Sequence, residues 1–179
     1  MALLGWLVGK GSTPVDDWFQ RGRASALGWL LFFTDQRTVA VLLLAAFAVA
    51  TYQRRWRLAV VVALSPVVAV VFSRVFKEFF GRQKGGALAY PSGHTTVMVV
   101  VLGMVLLVVG ARLYLTVVAI CWLLLGMLGQ SVTYHYFTDA VGGLLLGSAI
   151  VCGAVAVVGR RQKSRQETRT DQRDAPCAE

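Results

Sequence analysis

Polar and charged positions interrupt this chain at a spacing that suits a bilayer. Apolar runs cover Val39 to Tyr52, Leu58 to Phe76, Thr95 to Ala111, Leu113 to about Gln130, and Ala140 to Val158. Most approach the roughly 20 residues that a helix needs to cross the hydrocarbon core. Because a charge at the bilayer centre costs several kcal/mol, the charged residues gather in the short stretches between runs. The pattern predicts five spanning helices, the first of them short unless it borrows from upstream. The segment ASALGWLLFF at 24–33 offers a sixth helix, buried or interfacial. Pro66 sits inside the second run, where a membrane helix tolerates a kink. Gly143 and Gly147 have the small-xxx-small spacing that lets two helices approach closely.

Composition strengthens this picture. At 56% hydrophobic and 15% charged residues, the chain exceeds the apolar share of about 45–50% in soluble domains. The expected fold is therefore an all-α, polytopic integral membrane bundle of about five to six transmembrane helices. Residues 1–38 form an N-terminal interfacial or partly buried segment, 39–158 the transmembrane core, and 159–179 a polar, basic, disordered tail. MALLGWLVGKG carries no basic leader and its apolar patch is short for a secretory signal, so it reads as part of the mature chain. Cys121 and Cys152 lie in apolar runs and Cys177 in the tail; the spacing suits neither a disulfide framework nor a zinc knuckle, and small core residues are expected.

The net charge of +9 does not indicate nucleic-acid binding, since a basic nucleic-acid domain would not also carry several hydrocarbon-length spans. It indicates orientation. QRRWR at 53–57, Arg112 and RRQKSR at 160–165 share one side if the runs alternate, and the positive-inside rule makes that side cytoplasmic. The loops at 77–94 and 131–139 then face outward, as does the N-terminal stretch. The protein is expected in the cell membrane with a cytoplasmic C-terminus.

Those two outward loops hold both histidines, His94 in PSGH and His135 in YHYFTD. His135 and Asp139 are four apart, a spacing that stacks side chains on one helix face. The carboxylate would then fix one ring nitrogen and leave the other as a nucleophile. A zinc site needs a third ligand that the segment does not offer, so neither metal nor other cofactor is expected. PSGHTT opens an apolar helix, and with Pro91 and Ser92 at its start it leaves unpaired backbone N–H groups open to an anion. Arg74, Lys77, Arg82 and Lys84 gather at the outward end of the second run, against the positive-inside bias, and a bound phosphate would account for them.

In order, KEFFGRQKG, PSGH and HYFTD resemble the three signature motifs of the type 2 phosphatidic acid phosphatase family, which shares its core with the vanadium haloperoxidases. The resemblance covers roughly residues 58–158. It implies a helical bundle, normally of six spans, with a metal-independent site on the outer face. It further implies that His135 attacks phosphorus, Asp139 orients it and His94 protonates the leaving oxygen. Lys77, Arg82, Ser92 and the Gly93 amide would hold the phosphate. Two positions depart from the family pattern: Lys84 and Gly85 stand where Arg-Pro is usual, and Leu128 and Gly129 where Ser-Arg is usual. Lys84 keeps a positive charge for the phosphate, and Arg74 is a candidate for the missing arginine's place. The implied partners are the bilayer and a lipid phosphate. Candidates are a polyprenyl phosphate or pyrophosphate, a polyprenyl-linked sugar phosphate, phosphatidylglycerophosphate or phosphatidate. The alternative is a relative that binds or passages anionic lipids without hydrolysis; a haloperoxidase fits the hydrophobic spans least.

Overall fold

Long apolar helices dominate the architecture. The computed structural model describes the backbone of residues 1–24 and 26–174 and the side chains of 1–22 and 27–159. Two short helices, α1 (Ala2–Val8) and α2 (Pro14–Gln20), are followed by 3-10 turns at Arg21–Ala24 and Ala26–Thr34. Then come α3 (Gln36–Tyr52), α4 (Trp56–Phe80), α5 (Gly93–Val109), α6 (Leu113–Thr133) and α7 (Phe137–Asp174), with strands β1 (Gln83–Lys84) and β2 (Ala87–Leu88) between α4 and α5. Leu27–Tyr52, Trp56–Phe80, Leu113–Thr133 and Phe137–Gly159 are each long and apolar enough to cross a membrane. Together with α5, a shorter apolar helix, these four roughly fit the expected five to six spans, and the first does borrow its length from upstream. Of the tail assigned to 159–179, the side chains from residue 160 on lie outside those described, and Cys177 lies outside the described residues altogether.

The 17-residue α5 is the axis of the bundle. It packs on α3, α4, α6 and α7, and Val100, Val101 and Met104 on it are fully buried. A helix apolar all round belongs in the interior, where no amphipathic face is needed. Leu64, Val67, Val71 and Val75 of α4 are instead exposed on the outer surface, the side that meets lipid.

The predicted close approach falls between α5 and α7. A Cβ at Gly143 would lie 2.6 Å from the Ser92 carbonyl oxygen, and one at Gly147 would lie 2.7 Å from Val99 Cβ. Glycine at these two positions therefore sets how tightly α7 is held to the start of α5. The cysteine expectation is corrected: Cys121 and Cys152 are exposed rather than in the core, because both sit on outward faces of apolar helices.

The loop between α4 and α5 begins later than the hydrophobic run suggests. Lys77 still belongs to α4, which ends at Gly81 in the left-handed region with φ 60°, a conformation that favours glycine. The segment then turns back as a hairpin pairing Gln83 with Leu88 and Lys84 with Ala87. Its two turn residues, Gly85 and Gly86, have φ of 59° and 83°. Proline is locked near φ −65°, so the Gly85 position cannot carry the family's usual proline while this turn is kept.

Candidate active site

The last turns of α4 and the first turn of α5 form one polar wall. Ser73, Arg74 and Lys77 stand three and four residues apart on a single helix face. Together with Gly93 and His94 they line a cavity of about 470 Å³. Its opposite wall comes from Gln36, Val39, Ala40 and Leu43 of α3, and its floor from Val70, Val97 and Val101. One end of the cavity is thus cationic and hydrogen-bonding, and the other is hydrocarbon. Lys77 donates from Nζ to the Leu88 carbonyl at 3.0 Å, which fixes the ammonium at the cavity's polar end with further N–H donors remaining.

Ser73 is a residue that motif reading missed. Its Oγ is buried without a hydrogen-bond partner, the residue is 3% exposed, and it lines the cavity beside Gly93. A buried hydroxyl lacking a partner carries a desolvation cost, and a ligand oxygen in the cavity would relieve it.

Ser92 takes a different place from the one the resemblance implies. It is the N-cap of α5, completely buried, and its Oγ accepts from the Thr95 N–H and the Thr95 hydroxyl. Its own N–H donates to the Asp139 carbonyl at 2.9 Å, so PSGH is tied directly to the start of α7. His94 follows, and its ring lies 6.2 Å from that of His135, centroid to centroid. Two loops far apart in sequence therefore deliver both imidazoles to one end of the bundle.

The expected helical stacking of His135 on Asp139 is corrected by the backbone. α7 starts at Phe137, so His135 lies in the turn before it. The turn is held by its carbonyl, which accepts from Gln20 Nε2 at 3.2 Å and from Lys84 Nζ at 2.9 Å. His135 Nδ1 is 3.9 Å from Asp139 Oδ2, and this nitrogen is buried without a partner. The pair is aligned but not hydrogen-bonded. Asp139 Oδ2 instead accepts the Tyr136 N–H at 3.1 Å.

Arg82 is turned away from the cavity. Its Nη1 donates to Asp139 Oδ1 at 2.7 Å and to the Thr138 hydroxyl at 2.7 Å. Its Nη2 donates to Asp16 Oδ2 at 2.8 Å and to the Gly11 carbonyl at 2.7 Å, which also accepts from Nε at 3.2 Å. All five guanidinium N–H groups are used. Lys84 Nζ and Arg82 Cζ both lie over the Tyr136 ring, at 4.7 and 4.5 Å from its centroid. Of the cations expected from sequence, Lys77 and Arg74 line the cavity, whereas Arg82 and Lys84 brace the histidine turn.

Asp16 is the second residue that motif reading missed. Its signal was TPVD, a capping-box pattern: Thr13 caps α2 and exchanges hydrogen bonds with Asp16. Burial raises the Asp16 carboxyl, but hydrogen bonds from the Thr138 and Thr13 N–H groups and from Arg82 outweigh it and hold the pKa below the ordinary value. A carboxyl depressed by folding stabilises the protein above its ordinary titration range, and that stability is lost as the pH falls through the lower folded value. Acid unfolding in detergent micelles, followed by tryptophan fluorescence, is expected to be steeper for wild type than for Asp16→Asn, which has less stability at neutral pH to lose.

The absent third-motif arginine also has a physical reason. A Cβ at Gly129 would lie 2.7 Å from the Leu30 carbonyl carbon and 2.9 Å from its oxygen. The 3-10 turn Ala26–Thr34 packs on α6 at this point, and Trp122 Nε1 donates to the Phe33 carbonyl at 2.9 Å. Gly129→Arg is expected to lower stability by at least the roughly 1–3 kcal/mol typical of overpacking, read as a lower thermal midpoint in detergent.

The arrangement brings two imidazoles to one end of an apolar helical bundle, with Lys77 and Arg74 lining the cavity beside His94. The family model of the PAP2 superfamily matches residues 76–163, and this region belongs to that superfamily. The match contains Lys77, PSGH, His135 and Asp139 but neither Asp16 nor Ser73. Comparisons with curated proteins and with solved structures return no match. Members of the superfamily are phosphatases, so phosphatase-type action on a lipid phosphate is the general function of this region.

Proposed function

We propose that the chain is a metal-independent lipid-phosphate phosphatase working through a phosphohistidine. The observation that carries this reading is the pair of imidazoles, 6.2 Å apart, with His94 at the polar end of a cavity floored by Val70, Val97 and Val101. A lipid headgroup would sit against Lys77, Arg74, Ser73 and the N–H groups at the start of α5, with its chain along the apolar part. Terminal phosphates or pyrophosphates of polyprenyl lipids, polyprenyl-linked sugar phosphates, phosphatidylglycerophosphate and phosphatidate all share this shape.

Phosphoryl transfer asks chiefly for positioning and charge stabilisation. His135 Nε2 would form a bond to phosphorus as the bond to the lipid oxygen breaks, and His94 would give its proton to that oxygen. Asp139 would accept the Nδ1–H of the positively charged phosphohistidine once the 3.9 Å separation closes. Water, deprotonated by His94, would then displace His135 and release inorganic phosphate. Lys77 and the α5 amides would neutralise charge on the equatorial oxygens in both steps. Arg82, Lys84 and Ser92 serve this scheme by holding the turn and the helix start in register.

The reading puts the site on the extracytoplasmic side. Arg54, Arg55, Arg57 and Arg112 lie at the opposite end, where Arg55 donates to the Val108 carbonyl at 3.4 Å and ties the two basic turns together.

Purified protein in chelator is expected to release phosphate from at least one member of a lipid-phosphate panel and to be inhibited by vanadate. Metal-dependent release would contradict the proposal. A second reading, lipid binding or passage without hydrolysis, draws on Arg82 being fully engaged and on Leu30 occupying the third-motif arginine's place. Lipid binding with no turnover across the panel would select it.

A further inference from the structure

Behind His135 lies a buried charge arrangement of which the scheme above uses Asp139 and Arg82 but not Asp16. Asp16 Oδ2, the Arg82 guanidinium and Asp139 Oδ1 form a chain with links of 2.8 and 2.7 Å, and the three side chains are 0%, 1% and 0% exposed. A guanidinium paired only with Asp139 would cancel the charge of the carboxylate that backs the nucleophile. The second carboxylate leaves a formal excess of one negative charge, in surroundings where charges are weakly screened. Asp16 also accepts the Thr138 N–H and hydroxyl, each at 3.0 Å, in the first turn of α7.

We propose that Asp16 is a positioning residue for His135, acting through Arg82 and Thr138 to keep Asp139 in place behind the nucleophile. The inference rests on the phosphohistidine reading for its role in turnover, though not for its geometry. Asp16 lies on α2, outside the region matched by the family, so the N-terminal segment contributes to the site's charge as well as covering it. His135 is faced by Asp139 from α7, by His94 from α5, by Lys84 from β1 and, behind Asp139, by Arg82 and Asp16. Lys77 faces the pair from α4, beyond His94.

The protein has two histidines, so a spectrum of tag-free, ¹⁵N-histidine-labelled protein in detergent, taken at one pH, resolves both rings, with His94→Gln assigning the signals. Asp16→Asn is expected to displace the His135 ring signals, because Asp139 behind them loses its brace, and the same change at exposed Asp17 leaves them in place. In a phosphate-release assay, Asp16→Asn is expected to lower kcat about tenfold with KM little changed, the pattern of a lost transition-state interaction. Asp16→Ser, a smaller neutral replacement, gives the same displacement if the asparagine variant does not fold. His135 ring signals that coincide with wild type in the neutral variant overturn the proposal, whatever the assay shows. Absence of wild-type turnover with displaced His135 signals would instead remove the phosphatase reading and leave the positioning network standing.

Discussion

His135→Ala is expected to lower kcat for phosphate release by at least about a thousandfold, the scale on which enzymes lose activity when a nucleophile is deleted. The effect is large because no other group in the site can take over. His94 is required as acid and base, and Lys77 is bound to the Leu88 carbonyl. Binding of the lipid phosphate should survive, since Lys77, Arg74, Ser73 and the α5 amides lie on the other wall. Vesicle co-sedimentation with a lipid phosphate checks this second part. Full activity in the variant would remove His135 from the chemistry.

The second large effect is on stability. Arg82→Ala strips five hydrogen bonds from one side chain and leaves Asp16 and Asp139 buried without their shared cation. Removing one member of a buried ion pair costs about 3–5 kcal/mol because the remaining charge is uncompensated. Here two carboxylates are exposed to that cost, so the variant is expected to unfold at a much lower temperature or to fail to fold at neutral pH. Thermal unfolding in detergent measures it. A midpoint close to wild type would mean that the network contributes little. The double change Asp16→Asn with Arg82→Met should recover part of the loss, because it removes one charge of each sign.

What could be read from the sequence follows from the range of each interaction. Spanning helices need only a run of apolar residues, and the runs around 58–76 and 140–158 sit inside α4 and α7. The shared end for His94 and His135 follows from counting crossings. The role of Arg82 depends on Asp16, which is 66 positions away, and no local pattern announces that contact. The same holds for Gly129, whose lack of a side chain makes sense only beside Leu30. The spacing of His135 and Asp139 suggested a shared helix, but the chain turns before Phe137, since the Tyr134 and His135 N–H groups both donate to the Gln130 carbonyl and end α6 there. Ser73 stands in an apolar helix with no local pattern around it; only the cavity beside it makes its unpartnered hydroxyl informative.

The most direct test of the account is the stereochemical course at phosphorus, followed with a lipid phosphate whose terminal group is made chiral by oxygen isotopes and one sulfur in place of oxygen. Attack by His135 and then by water comprises two in-line displacements, and the account predicts net retention of configuration. Net inversion, the signature of direct attack by water, would contradict it.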